Sequence, residues 1–209
     1  MDSSRHTAQM SIRARTALLI AAFAAALGAP AAAPQQAAAP RTLAGPGLSI
    51  ARAAAAQVGV TVLYDPAYRR LDYPGGDVPR DRGVCSDVVV RALRSIGVDL
   101  QVALHEDMRH HFRDYPQLWG LRGPDRNIDH RRVPNLMRYF ERQGKRVPPG
   151  AGYRAGDVIA WRLPNDLLHV GIVAEQRGAR DPLVVHNIGD GARLEDVLRA
   201  FDEIGHYRW

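Results

Sequence analysis

The sequence predicts an α+β domain in which helices come first and an antiparallel sheet comes last. Two observations carry that prediction. Helical periodicity runs through the chain as far as Gln143, and from Ala155 onward short Val- and Ile-rich runs alternate with Gly, Pro, Asn and Asp. A single composition break, an Ala/Pro-rich stretch ending at Pro40, separates this domain from what precedes it.

The first forty residues read as an export signal. Arg5, Arg13 and Arg15 precede the apolar run Ala17–Ala29, and small residues follow to Pro40. That run is shorter than the roughly 20 apolar residues a membrane-spanning helix needs. Residues 1–40 are therefore expected to be a signal peptide and flexible neck, and residues 41–209 a single periplasmic or secreted domain with no transmembrane span. The latter keep 25 Lys and Arg against 21 Asp and Glu. An excess this small, mixed in sign and not interleaved with aromatics, argues against a nucleic-acid partner but suits work near an anionic envelope.

The first chemically informative element is "RGVCSDVVVRALRSIG". Val84, Val88, Val89, Ala92, Leu93 and Ile96 repeat close to helical spacing and Gly97 supplies a stop, while the preceding "DYPGGDVPRDRG" is loop-like. Cys85, the chain's only cysteine, falls in the first turn of this helix. An exported protein uses cysteines for stability in pairs, so a solitary thiol is either a packed small hydrophobe or a nucleophile. At a helix start a thiol of ordinary pKa about 8.5 can fall to roughly 3.5–7.5. A depressed value is the expectation.

Further along, "HEDMRHH" (105–111) invites a metal reading, but His105 and His110 are five apart rather than four, and a polar helix face is expected instead. "NIDHRRVPNL" precedes a helix pattern over 134–143. Its Asp129, His130 and Arg131 are either helix-capping and solvated charge or a clamp for a substrate carboxylate.

The strand region then offers "GDVIAW", "LHVGIVAE" and "PLVVHNIG". In the second, His169, Gly171 and Val173 share one face and Val170, Ile172 and Ala174 the other. His169 is the candidate base for Cys85. A thiol–imidazole pair needs a third group to orient the ring. His186 and Asn187 are both available on the next strand, and because consecutive residues point to opposite faces only one of them can serve.

Taken in order, "DYPGGDVPRDRGVCSDVVVRAL", "HEDM", "NIDHRRVPNL", "GDVIAW", "HVGIVAE", "HNIGDG" and "GHYR" resemble the bacterial family catalogued as domain of unknown function 1287, which is placed among NlpC-type papain-like cysteine peptidases. The resemblance spans about residue 50 to the C-terminus. It implies a papain-like fold, Cys85 as nucleophile, His169 as base and His186 as third residue, with Asn187 second. Tyr73, Ser86 and Asp87 are implied neighbours of the nucleophile and candidate substrate contacts, beside the Asp129, His130 and Arg131 clamp. The implied activity is cleavage of an amide bond in peptidoglycan stem peptides or another envelope peptide, without cofactor or metal. An acyltransferase using the same residues and a non-catalytic envelope-binding protein are the alternatives. The sequence departs from the wider pattern at Val84 and Asp87, where an acidic residue follows the cysteine instead of preceding it.

Overall fold

A computed structural model describes residues 45–209, which lie within one compact unit. The signal and neck expected over residues 1–40 fall outside the described residues. Among the described residues no helix is long and apolar enough to cross a membrane.

Four helices form one layer. α1 (Pro46–Ala55) begins with proline in its first turn, where a missing N–H costs nothing, and buries Ile50, Ala51 and Ala54. α2 (Cys85–Arg94) buries Val88, Val89, Ala92 and Leu93 completely, as its periodicity requires. α3 (Leu100–His111) is capped by the Asp99 carboxylate, which accepts from the Gln101 N–H, and α4 (Val133–Arg142) again starts with proline. Leu104, Leu136 and Phe140 turn inward from the last two helices to join the same core. The "HEDMRHH" motif lies on α3 as helix-face chemistry: Glu106 accepts from Tyr73 and Arg109, and Asp107 accepts from Tyr115 and Arg142.

Two short strands, β1 (Leu63–Tyr64) and β2 (Arg82–Gly83), pair in parallel just before α2. The second layer is a five-stranded antiparallel sheet of β3 (Val158–Arg162), β4 (Leu168–Arg177), β5 (Pro182–His186), β6 (Arg193–Glu195) and β7 (Asp202–Tyr207), in the order β6-β5-β4-β3-β7. The two predicted faces of β4 are realised. Val170, Ile172 and Ala174 join the helix-facing core, whereas Val173 packs with Ile159, Trp161, Val184 and Leu198 on the far side.

A buried ion pair sets the position of α2. Asp87, in its first turn, accepts from the Val84 N–H at 2.7 Å and from both Nε and Nη2 of Arg131 at 2.9 and 3.0 Å. Arg131, in a 3-10 turn over Asp129–Arg131, also donates to the carbonyls of Asp65 and Ala67 at 3.0 Å each. Both side chains are almost inaccessible, at 2% and 4% exposure. One guanidinium thus ties the α2 start to the strand–loop segment before it and to the turn leading into α4. Removing one partner of such a pair strands the other charge in a low-dielectric interior. Arg131→Met is expected to lower the unfolding free energy by about 3–5 kcal/mol, measured by urea unfolding against the wild type.

Candidate active site

The sulfur of Cys85 sits at the first residue of α2, where β4 passes beneath it. Backbone N–H groups of Val170, Ser86 and Cys85 itself favour the thiolate, but burial outweighs them and the Asp87 charge adds to it, so the thiol is pushed up to about 11. The expectation of a depressed value is reversed: with 6% exposure, desolvation exceeds what a helix N-terminus supplies.

Cys85 is the meeting point of two cavities. One, of about 360 Å³, is lined by Tyr64, Leu167, Leu168, His169, Ile188 and Phe201. The other, of about 410 Å³, runs past Tyr64, Trp119, Ile128, Arg132 and Pro134. Tyr64 borders both, and burial holds its phenol in the protonated form. Arg132 carries its guanidinium 4.0 Å from the centre of the Trp119 ring, a cation–π contact at the lip of the second cavity.

His169 stands in the first cavity with its ring stacked on Trp161, centroids 5.8 Å apart. Its Nε2 lies 2.9 Å from Nδ1 of His186, and Nε2 of His186 lies 2.8 Å from a carboxylate oxygen of Glu195. Burial pushes His169 down to about 3, with the neighbouring His186 adding to the effect. Burial also lowers His186, against the pull of Glu195. Thiol and imidazole are thus both neutral at rest.

Of the two candidates for third residue, His186 is the one within hydrogen-bond distance of His169. Asn187 points the other way and donates to the Gly83 carbonyl at 2.9 Å, bracing the loop before α2. The close approach implied by Gly171 is made by the histidine's own strand: Gly171 pairs with His186, and a Cβ there would stand 3.0 Å from the His186 Cβ and 2.7 Å from Val184 Cγ1.

Other expected contacts are corrected. Tyr73 lies against α3, donating to Glu106 at 3.0 Å with its ring edge-on to His105, and borders neither cavity, whereas Tyr64 borders both. Ser86 is fully buried and donates to the Arg131 carbonyl at 2.7 Å. Asp87 and Arg131 neutralise each other, and Asp129 accepts from the Asp125 N–H and from Arg132. His130 is 2% exposed, and burial pushes it down to about 4. No clamp for a carboxylate is formed by Asp129, His130 and Arg131, because each is committed to holding the turn or enclosed within it. Tyr64 and Glu195 carried no motif. Only the placement of Tyr64 on the segment before the cysteine loop, and of Glu195 on the strand after His186, could have drawn attention to them.

A model of the family described as "Domain of unknown function (DUF1287)" matches residues 51–209. The chain belongs to this family. The family match takes in Cys85, His169, His186 and Glu195, along with Tyr64. The "Uncharacterized protein YijF" of Escherichia coli (strain K12) is 57% identical over 167 residues, covering 78% of this chain and 81% of that protein. Among solved structures, NlpC1 from Trichomonas vaginalis aligns with a TM-score of 0.44 and 16% identity over 78% of this chain, which spans 44% of that longer chain.

Two outcomes follow from this geometry. His169 and His130 stay neutral in the fold down to about 3 and about 4, whereas in the unfolded chain they charge below about 6.5, so acidification favours unfolding across that interval. Asp129, pushed up to about 6 by burial, opposes them over the lower part of the same range. The net loss of stability between about pH 6.5 and about pH 4.5 is expected to be roughly 3 kcal/mol, with a shallower pH slope in His130→Asn, as read by urea unfolding at each pH. Gly171→Ala is expected to displace His186 and to cost about 1–3 kcal/mol through overpacking, visible as a lower unfolding midpoint and altered His186 imidazole resonances.

Proposed function

We propose that the protein is an exported, papain-like cysteine hydrolase that cleaves an amide bond in peptidoglycan stem peptides. The observation that carries the reading is the convergence, in one cavity, of a helix-start cysteine and a histidine whose far nitrogen is held by a second histidine. A helical layer bearing Cys85 on an antiparallel sheet bearing His169 is the arrangement the papain-like resemblance implies. The motif resemblance to NlpC-type peptidases supports the substrate class, and the Arg-flanked apolar run near the N-terminus supports a periplasmic or secreted location.

With both groups neutral at rest, the proton moves during attack. His169 takes it from the sulfur as the carbon–sulfur bond forms, so the two charges appear together and stabilise each other in the enclosed pocket. The tetrahedral oxyanion is met by backbone N–H groups at the α2 start. Collapse returns the proton from His169 to the departing amine and leaves a thioester on Cys85. Water, deprotonated by the same imidazole, releases the acid and restores the thiol. A different nucleophile in this last step would make the protein an acyltransferase.

The recessed, neutral thiol favours a second reading, a binding protein that keeps the groove without the chemistry. Incubating the full chain with muropeptides and following products by mass spectrometry separates the readings. The hydrolase reading expects cleavage by the wild type, none by Cys85→Ala, and a loss of about 10²–10⁴-fold in His169→Ala. Cleavage undiminished in Cys85→Ala would overturn the catalytic assignment. Fragment binding by both wild type and Cys85→Ala with no cleavage by either would establish the binding protein.

A further inference from the structure

The hydrogen-bond chain behind His169 does not stop at a third residue. His186 reaches Glu195 with its second ring nitrogen at 2.8 Å, and it is 1% exposed whereas the carboxylate is 38% exposed. A neutral imidazole offers one N–H and one lone pair, so each contact in such a chain dictates the next. An ionised carboxylate can only accept, which places the His186 proton on Nε2. Nδ1 of His186 is then an acceptor, and the 2.9 Å contact is a hydrogen bond only if His169 carries its proton on Nε2.

We propose that Glu195 is a positioning residue for the chemistry at Cys85: through His186 it selects the His169 tautomer whose Nδ1 lone pair is free to receive the thiol proton. This deepens the hydrolase reading and rests on it. Without the carboxylate the chain can run in reverse, with His186 donating from Nδ1 to His169 Nε2. His169 would then be protonated on Nδ1, the nitrogen that has to act as the base. In the proposed sense, the Cys85 proton passes from sulfur to His169 Nδ1, the Nε2 protons of both histidines stay in place, and no proton passes to Glu195. No second proton transfer is required.

The surroundings leave that role to Glu195. Trp161 covers His169 from β3, and Leu168 and Ile188 are the apolar neighbours it meets along the cavity. Arg193, opposite His186 in the β5–β6 register, reaches toward Asp190 at 3.4 Å, and the charge that acts on His186 is that of Glu195. The residue ends a short edge strand and contributes little to either core, so its removal tests positioning more than folding.

The test combines imidazole nitrogen NMR of the ¹⁵N-histidine-labelled full chain with the rate of Cys85 alkylation by iodoacetamide at neutral pH. The wild type is expected to show pyrrole-like Nε2 and pyridine-like Nδ1 in both His169 and His186. Glu195→Ala is expected to lose that single pattern and to slow alkylation by roughly 10–100-fold, the scale on which carboxylate partners of a ring nitrogen act. Glu195→Gln keeps an acceptor oxygen and is expected to fall in between. Pyrrole-like Nδ1 on either histidine of the wild type, or unchanged tautomers and alkylation in Glu195→Ala, would overturn the proposal. His169→Ala keeps the two questions apart. If it alkylates at the wild-type rate, the Cys85–His169 pair fails as a catalytic unit, whereas slow alkylation in His169→Ala beside a wild-type rate in Glu195→Ala removes Glu195 alone.

Discussion

The geometry of the site depends on one ion pair that takes no part in chemistry. Asp87 caps the first turn of α2 and meets Arg131 inside the protein, while the same guanidinium binds the carbonyls of Asp65 and Ala67. Three stretches of chain, the segment after β1, the α2 start and the turn leading into α4, are thereby tied together beside the residue that carries the sulfur. Buried pairs of this kind contribute little net stability compared with apolar packing, and here the bidentate pair fixes where its partners lie. Position is what the proposed nucleophile at this helix start requires. An acidic group two residues after the cysteine is, in this light, a structural requirement of the loop preceding it.

Opposite this anchor, the sheet divides its work between two faces. One closes the helical core with Val170, Ile172 and Ala174, and the other carries His169 and His186 side by side because Gly171 leaves room for the neighbouring strand's histidine. Antiparallel register converts alternation in the sequence into this separation. Cys85 comes from one layer and His169 from the other, so their relative placement depends on how α2 packs against β4. Packing of that kind resists small displacements, since interiors are as dense as organic crystals.

Much of this architecture was legible in the residues. Period-3.6 patterning located α2 and α4, β-branched runs located β3, β4 and β5, and alternation assigned the two faces of β4 correctly. His186 could be separated from Asn187 only in three dimensions, because the choice depends on which face of β5 meets His169. The clamp expectation erred for a physical reason: "DHR" has the composition of an anion site, and composition does not reveal that Asp87, 44 residues earlier, already occupies the arginine. Tyr73 fitted a motif by spacing, yet it lies against α3, and the β1–β2 pairing that sets Tyr64 opposite Gly83 brings Tyr64 to the cavities beside Cys85 instead. The thiol's ionisation was misjudged because a helix terminus is visible in sequence and the depth of burial is not.

That burial has a bearing on how long the protein keeps its one thiol. Oxidation to sulfenic acid and exchange with disulfides both proceed through the thiolate and need access to the sulfur. At neutral pH Cys85 offers very little thiolate and 6% of its surface, and no other cysteine exists in the chain to resolve a mixed disulfide. On the proposed mechanism, a sulfur that ionises only as substrate is attacked is chemically quiet for the rest of its existence. In the oxidising envelope proposed for it, that quiet would separate a durable reagent from one spent before it met a substrate.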